Sequence, residues 1–380
     1  MTTERLCLPS RSDFELIRTQ NAVYVDKTDW VHELAAGTSD RLFLARPPLF
    51  GKSLLISTFD SLFSRGVRAF DGLKIATLWT DKTYPVIRLD FSFVTQFEDF
   101  AEFKERFETH LNESFARAGF VYDRSLPTGL LSQVSNWLHA QPIGSIVLLV
   151  DAYDAPLLAC IDRPSLFEEV QRLIDQCFSR IKREDRAFRF VFVTGVTKLG
   201  MHSSSFNHLQ DLSLNPRFSK LLGFTRDDIE TAFAPVLERA AKVVNLSVDA
   251  LLDRMADHYG GYAFDTQATS TVFCPSGVQA FLLNPEQGFK DWTNAREWPL
   301  GLKKVLSAYL SEASKHEATD KTVFLNELKM GFSLDLLNLD VLLTQLGLLT
   351  IKRSDGVQVR LGVPNQATKS CCEKLSDLKS

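Results

Sequence analysis

Short apolar runs alternate with periodic apolar segments over the first two thirds of the chain. The short runs predict buried β-strands, and they lie at 41–45, 85–91, 146–150 and 188–193. The run at 85–91 has an acidic end at Asp90. In the longer segments apolar residues recur every three or four positions, which predicts amphipathic helices at 53–63, 100–115 and 166–181. Strands that alternate with helices indicate an α/β fold with a parallel sheet.

Beyond Gly223 the pattern becomes mainly helical. Helices are predicted at 229–244, 248–258, 302–314, 326–337 and 342–348, and Gly331 is expected to break the fourth of them. Two strand-like segments then flank Asp355-Gly356, a dipeptide typical of a β-hairpin. A helix followed by such a hairpin suggests a winged-helix-like domain, which would contact either DNA or another protein.

Composition and charge narrow the class of protein. A chain of 380 residues, 45% hydrophobic and 24% charged, is expected to form two or three globular domains. It contains no run of about 18 apolar residues, and Met1–Cys7 lacks an apolar segment, so we expect neither a membrane span nor a secretory signal. Six cysteines are too few for a disulfide framework, which favours a cytoplasmic location and leaves a nuclear one open. A net charge of −4 does not favour nucleic-acid binding, which would need a local basic face.

The segment Phe50-Gly51-Lys52-Ser53 lies between a predicted strand and a predicted helix. A P-loop needs backbone N–H groups around the phosphates, a lysine on the β and γ oxygens and a hydroxyl on Mg²⁺. Its first glycine is missing here, because Arg46 occupies that position. The tripeptide alone is a weak signal, but the helix that follows would point its N-terminus at the phosphates. The loop contacts to nucleotide are expected from Arg46, Phe50, Gly51, Lys52, Ser53 and Leu54.

The apolar run at 146–150 ends in Asp151, which has two interpretations. One is a Walker B strand, whose carboxylate belongs to the Mg²⁺ shell, and the other is a buried strand with a capping aspartate. The order of the two motifs, about 100 residues apart with one strand between them, favours the first. We therefore predict an ATP site in which Ser53 and Asp151 hold Mg²⁺.

Five collinear motifs resemble those of the AAA-ATPase-like family, P-loop proteins often fused to a PD-(D/E)XK nuclease. YVDKT at 24–28, TGVTK at 194–198 and GFT at 223–225 match family motifs, RPPLFGKS at 46–53 resembles RPRRFGKS, and DAYDAP at 151–156 resembles DEYDAP. The resemblance covers about residues 10–365 and implies a P-loop NTPase that uses ATP and Mg²⁺. It implies four parts: a P-loop NTPase core at 10–224, a helical lid at 225–317, a winged-helix-like domain at 318–367 and a tail at 368–380.

The chain departs from this family at two places. Pro48 and Leu49 stand where the family usually has arginines, which removes two phosphate or partner contacts. Ala152 stands where the family has the glutamate that polarises the attacking water, and a methyl group cannot accept a proton. We therefore expect Mg·ATP binding with impaired hydrolysis, whether Ala152 is natural or introduced. Asp154, two residues further on, is a less favoured substitute for the glutamate.

The resemblance also implies roles for residues outside the loop. Thr194 would sense the γ-phosphate and complete a catalytic set with Lys52 and Asp151, with Thr197 as a second candidate. Arg217 would be a sensor, a finger offered to a neighbouring subunit or a solvated surface residue. A further set, ahead of the loop strand, is expected to contact the base: Tyr24, Asp26 and Lys27.

No nuclease is expected from this chain, because only fifteen residues follow the LGVPN segment at 361–365, which resembles the family's LGxPN. The main hypothesis is an ATP-dependent switch that acts on a protein or DNA partner through its C-terminal domain, and a homo-oligomer is compatible with it. One alternative is a non-catalytic nucleotide-dependent scaffold. Another is a DNA-binding module with a vestigial ATP site.

Overall fold

A parallel sheet of five strands organises the first half of the computed structural model, which describes residues 12–291, 298–314 and 321–377. Its strands are β1 (Arg41–Ala45), β2 (Val86–Asp90), β3 (Ile146–Asp151), β4 (Phe188–Gly195) and β5 (Gln210–Asp211). Across the sheet they follow the order β2-β3-β4-β1-β5, and all neighbours pair in parallel. The predicted α/β class with a parallel sheet is confirmed.

Helices cover both faces of this sheet. They are α1 (Phe14–Thr19), α2 (Thr28–Ala36), α3 (Lys52–Arg65), α4 (Phe100–Ala116), α5 (Leu130–His139), α6 (Ala155–Ala159) and α7 (Pro164–Arg183). On β3, Val147 and Leu149 belong to the core that includes α3, whereas Leu148 and Val150 belong to the core that includes α4 and α7. Burial on both faces explains why the strand is continuously apolar.

The next part of the chain is helical, with a small antiparallel ribbon. Its elements are α8 (Arg226–Ala232), α9 (Ala234–Val243), α10 (Val248–Tyr259), β6 (Tyr262–Ala263), β7 (Thr271–Val272), α11 (Pro275–Leu283) and α12 (Leu300–Ser314). The predicted helix at 229–244 is two helices, because the chain leaves helical geometry at Phe233 and restarts with Pro235 in the first turn of α9. Thr225 and Asp228 form a capping box that fixes the start of α8.

The C-terminal elements surround a three-stranded antiparallel sheet of order β8-β10-β9 within the described residues. They are β8 (Lys321–Phe324), α13 (Leu325–Lys329), α14 (Leu339–Gln345), β9 (Thr350–Ser354), β10 (Gln358–Gly362) and α15 (Gln366–Ser376). The Asp355-Gly356 hairpin is confirmed, with Gly356 at φ +93°. The predicted break near Gly331 is confirmed too, because α13 ends at Lys329. Most of the predicted tail at 368–380 is helical and lies in α15.

Some predictions fall on other parts of the chain. The boundaries at residues 10, 317–318 and 380, and the segment Met1–Cys7, lie outside the described residues. Within the described ranges, no helix combines the length and the apolar character that crossing a membrane requires.

Gly195 ends β4 at a place where the backbone has no room for a side chain. A Cβ atom there would lie 2.6 Å from Cε1 of Tyr153 and 2.7 Å from Oδ1 of Asp154. We expect Gly195→Ala to lower the free energy of unfolding by about 2 to 3 kcal/mol, as overpacking of a rigid site does. Gly129 has nothing within 4 Å of its Cβ position and an ordinary φ of −66°, so Gly129→Ala is the matched control. Urea unfolding should separate the two variants, and equal midpoints would contradict this account.

Candidate functional site

The loop that follows β1 leads directly into the N-terminus of α3. Its backbone enters the left-handed region twice, at Leu49 with φ +69° and at Gly51 with φ +93°. Glycine adopts this conformation readily, whereas for leucine it costs about 1 to 2 kcal/mol. The helix of 14 residues then begins at Lys52, so the free N–H groups of its first turn lie next to the loop. Such a helix N-terminus favours a phosphate group.

Lys52 spans this loop with its amine. Nζ donates hydrogen bonds to the carbonyl oxygens of Arg46 at 2.8 Å and of Pro47 at 2.9 Å. Burial lowers the pKa of Lys52 to about 8, although the charges of Asp151 and Asp154 oppose the shift. The site therefore holds a buried cation close to two carboxylates at the end of β3.

Asp151 and Thr194 meet at the carboxyl ends of β3 and β4. Thr194 Oγ1 donates to Asp151 Oδ1 at 2.7 Å, and both side chains are buried. The second oxygen of Asp151 accepts no hydrogen bond from the described residues. Two members of the predicted catalytic set are therefore in direct contact, and their action together with Lys52 stays a prediction.

The turn after Asp151 is locked to the turn after β4. Ala152 lies at φ +52°, and the N–H of Tyr153 donates to the carbonyl oxygen of Thr194 at 3.0 Å. Asp154 is fully buried and accepts from Val196 N at 3.1 Å, from Thr197 N at 2.6 Å and from Thr197 Oγ1 at 2.7 Å. Burial raises the pKa of Asp154, and these hydrogen bonds oppose the shift. Asp154 and Thr197 therefore hold the two turns together.

A cavity of about 290 Å³ lies between the loop and the helical part. This volume is at the lower end of the range typical of small-molecule pockets. Several sequence-predicted contacts line it together: Tyr24, Lys27, Phe50, Gly51, Lys52, Ser53 and Leu54. Other walls of the cavity come from residues 221–224 and from the start of α11. Residues of the loop thus share one pocket with Tyr24 and Lys27, and their contacts to a nucleotide stay a prediction.

Lys27 joins two walls of this cavity. Its Nζ donates to the carbonyl oxygens of Lys220 at 2.6 Å and Gly223 at 2.7 Å, and it pairs with Asp228 at 3.0 Å. Burial lowers the pKa of Lys27, and Asp228 opposes that shift. Burial also raises the pKa of Tyr24 to about 12.

Asp26 and Arg46 are absent from the described lining of the cavity. Asp26 accepts from Thr28 N at 2.9 Å and from Thr28 Oγ1 at 2.6 Å, at the start of α2. The guanidinium of Arg46 is buried and donates to carbonyl oxygens of Ala45, Ser213 and Phe218. In this structure both side chains stabilise the framework of the site, and their nucleotide contacts stay predictions.

Arg217 lies outside the pocket. Its side chain is 69% exposed and forms an ion pair with Glu33 at 2.5 Å. An exposed guanidinium at this place is compatible with both the solvated and the subunit-finger interpretation, so its role stays a prediction.

Sequence reasoning missed the wall that α11 contributes. Pro275, Ser276 and Gln279 line the cavity, and the Ser276 hydroxyl donates to the carbonyl oxygen of Leu49 at 3.3 Å. The proline in the first turn is a helix-start signal that could have located α11. Asp90, which ends β2 beside Asp151, was visible only as the acidic end of a strand.

The turn after β4 also contacts the C-terminal part. Lys198 Nζ donates to the carbonyl oxygens of Leu328 at 2.9 Å and Lys329 at 3.0 Å, and it pairs with Asp211 at 2.5 Å. Gly200 N donates to the carbonyl oxygen of Phe332 at 2.8 Å. One turn therefore connects the Asp151 edge of the sheet with α13 and the segment that follows it.

Comparisons with known proteins agree with the motifs. Residues 10–205 match the sequence model of a family described as predicted AAA-ATPase. The chain is 27% identical over 355 residues to an uncharacterized protein in the vnfD 5' region of Azotobacter chroococcum mcd 1, with 91% of this chain and 65% of that protein covered. The chain thus spans less than two thirds of the length of that relative.

Two solved structures were also found to be similar. One is the Walker-type ATPase PABY2304 of Pyrococcus abyssi, with 10% identity, 98% of this chain and 99% of that chain covered, and a TM-score of 0.42. The other is the structure of Drosophila ORC bound to DNA, with 12% identity, 100% and 95% covered, and a TM-score of 0.30.

The buried amine of Lys52 should reduce stability in a pH-dependent way. The pKa of Lys52 is lowered from 10.5 in the unfolded chain to about 8 in the folded one. Above pH 10.5 the amine is neutral in both states and its burial costs no charge, whereas stability is lost as the pH falls through 8. Lys52→Met should therefore raise the free energy of unfolding by about 1 to 3 kcal/mol at pH 7 and by much less at pH 10. Urea unfolding at both pH values measures this, with the exposed Lys104→Met as control. A gain that is equal at both values would contradict the burial effect.

Proposed function

The chain belongs to the family of predicted AAA-ATPases, and on that premise we propose that it binds Mg·ATP and works as a slow ATP-dependent switch. The observation that carries the proposal is the position of Lys52. Its buried amine lies at the start of α3, on the loop carbonyls and close to Asp151. A cation that is buried at a helix N-terminus is suited to bind phosphate oxygens.

The residues at the site fit a nucleotide with a divalent cation. Gly51 provides a left-handed turn that few other residues tolerate, and the cavity opens beside it. Ser53 and Asp151 would hold Mg²⁺, since the Ser53 hydroxyl and one Asp151 oxygen have no hydrogen-bond partner among the described residues. Mg²⁺ would neutralise charge on the phosphate oxygens. Tyr24 and Lys27 would line the end of the pocket that receives the base.

Slow hydrolysis follows from the residue after Asp151. Ala152 offers no proton acceptor at the position where the family has a glutamate, and Asp154 uses both carboxylate oxygens to hold the turn at 196–197. The chain would therefore keep ATP bound for longer than a relative with the glutamate. Thr194, through its hydrogen bond to Asp151, would respond to the γ-phosphate.

The output of the switch would pass through the turn at 194–200 to the C-terminal part. The order α12, β8, α13, α14, β9, β10 supports a winged-helix-like domain there. Five of its apolar side chains are exposed, which favours a protein partner over DNA: Phe324, Met330, Leu336, Val357 and Val363. A helical lid at 225–317, a homo-oligomeric state and a cytoplasmic location stay predictions.

Calorimetric titration of Mg·ATP tests the binding step. We expect micromolar affinity for the parent chain and loss of binding in Lys52→Ala, because the cation on the phosphates is removed. Lys104→Ala changes an exposed lysine on α4 and should bind like the parent chain. If the parent chain does not bind, the site is a relic and the alternative with a vestigial ATP site takes its place.

The role of Ala152 is tested by two substitutions of equal size. Ala152→Glu restores a proton acceptor and should raise the rate of ATP hydrolysis by about 100-fold. Ala152→Gln has the same shape without a base and should leave the rate near that of the parent chain. Both variants should bind Mg·ATP with similar affinity. Equal rates in the Glu and Gln variants would mean that the missing glutamate does not limit turnover.

A further inference from the structure

A second carboxylate lies beside Asp151, at the end of the neighbouring strand. Asp90 is the last residue of β2 and pairs in parallel register with Asp151 of β3. Neighbouring strands lie about 4.8 Å apart, and residues in register point to the same face of the sheet. Asp90 and Thr194 therefore lie on opposite sides of Asp151, in one row along the carboxyl edge.

The alternation along the strands shows which face carries this row. Val86 of β2, Leu149 of β3 and Phe192 of β4 all pack in the core that includes α3. Asp90 and Asp151 are an even number of residues further along their strands, so they face the same side. That is the side on which α3 begins with Lys52.

Asp90 keeps one carboxylate oxygen available. Its Oδ1 accepts hydrogen bonds from Ser92 N at 3.1 Å and from Ser92 Oγ at 2.6 Å. Among the described residues, Oδ2 accepts no hydrogen bond. The backbone N–H of Asp90 donates to His110 Nε2 at 3.0 Å, which fixes the end of the strand.

Asp90 is the carboxylate next to Asp151 in this row, and its Oδ2 is left for a water molecule because Ser92 bonds only to Oδ1 among the described residues. Ala152 has no such group, and both oxygens of Asp154 are occupied.

We propose that Asp90 is the carboxylate that activates water in this chain, in place of the missing glutamate at 152. This inference rests on the proposed function. In the step, Asp90 Oδ2 takes a proton from water while the water oxygen forms a bond to the γ-phosphorus. The bond from that phosphorus to the β–γ bridging oxygen breaks, and this oxygen leaves with ADP and keeps the electron pair. The proton then passes from Asp90 to solvent.

The test compares Asp90→Asn with a substitution of another carboxylate, one that lies on the same side of the sheet but away from its carboxyl edge. Asp60 is eight residues beyond Lys52 on α3, about 12 Å along the helix axis, so Asp60→Asn is the matched control. Three quantities are measured: Mg·ATP affinity by calorimetry, single-turnover ATP hydrolysis, and affinity for ADP with Mg²⁺ and aluminium fluoride, a mimic of the transferring phosphoryl group.

We expect Asp90→Asn to keep Mg·ATP affinity within about threefold of the parent value, to slow hydrolysis by at least about tenfold, and to weaken binding of the aluminium fluoride complex by about tenfold. Asp60→Asn should change none of the three. If the Asn variant does not fold, Asp90→Ser is the second variant, because its hydroxyl can accept from the Ser92 amide but is not a base.

The outcomes distinguish a failure of ATP binding from a failure of the role of Asp90. Failure of the parent chain to bind Mg·ATP would overturn the proposed function itself. Intact binding with no measurable hydrolysis in the parent chain, or with hydrolysis unchanged by loss of the Asp90 carboxylate, would overturn the role of Asp90 and leave ATP binding in place.

Discussion

The geometry of the site depends on one buried carboxylate, that of Asp154. It has no exposure to solvent, and three donors from residues 196 and 197 satisfy it. A carboxylate that is buried without such partners costs several kcal/mol, so the turn after β3 and the turn after β4 are stable only together. This interdependence explains why the DAYDAP and TGVTK segments belong to one site. The link between the two turns also sets the position of Thr194 relative to Asp151. These two residues lie at the carboxyl edge of the sheet, where we propose that ATP is hydrolysed.

The same turn continues into the C-terminal part of the molecule. Lys198 follows Thr197 directly, is only 3% exposed, and bonds to the carbonyls at the end of α13 as well as to Asp211. A buried lysine with these partners cannot move without breaking several charged hydrogen bonds. A displacement of the β4 edge must therefore either move α13 or lose those bonds. Packed elements that respond in this all-or-none way are suited to a switch.

Local sequence patterns predicted the sheet and the loop well, because both depend on neighbouring residues. The continuous apolar run at 146–150 and the Asp355-Gly356 hairpin are such cases. Features that depend on distant contacts were missed or stayed open. The inward direction of Arg46 is set by carbonyls at 213 and 218, the α11 wall by packing on the loop, and the neighbour of Asp151 by strand order. None of these features can be predicted from a short stretch of sequence.

Three unfavourable features of this fold lie where the strands end. Leu49 and Ala152 have left-handed backbone conformations, and Lys52 is a buried amine with a lowered pKa. Each costs stability, of the order of 1 kcal/mol or more, and none is needed to build the sheet. A framework that served only for docking could relieve all three by ordinary substitutions. Leu49 and Lys52 line one cavity, and Ala152 follows Asp151, whose second oxygen accepts no hydrogen bond from the described residues. These positions are therefore better explained by binding of a charged ligand at this edge of the sheet. This favours a working nucleotide site over the alternative with a vestigial one.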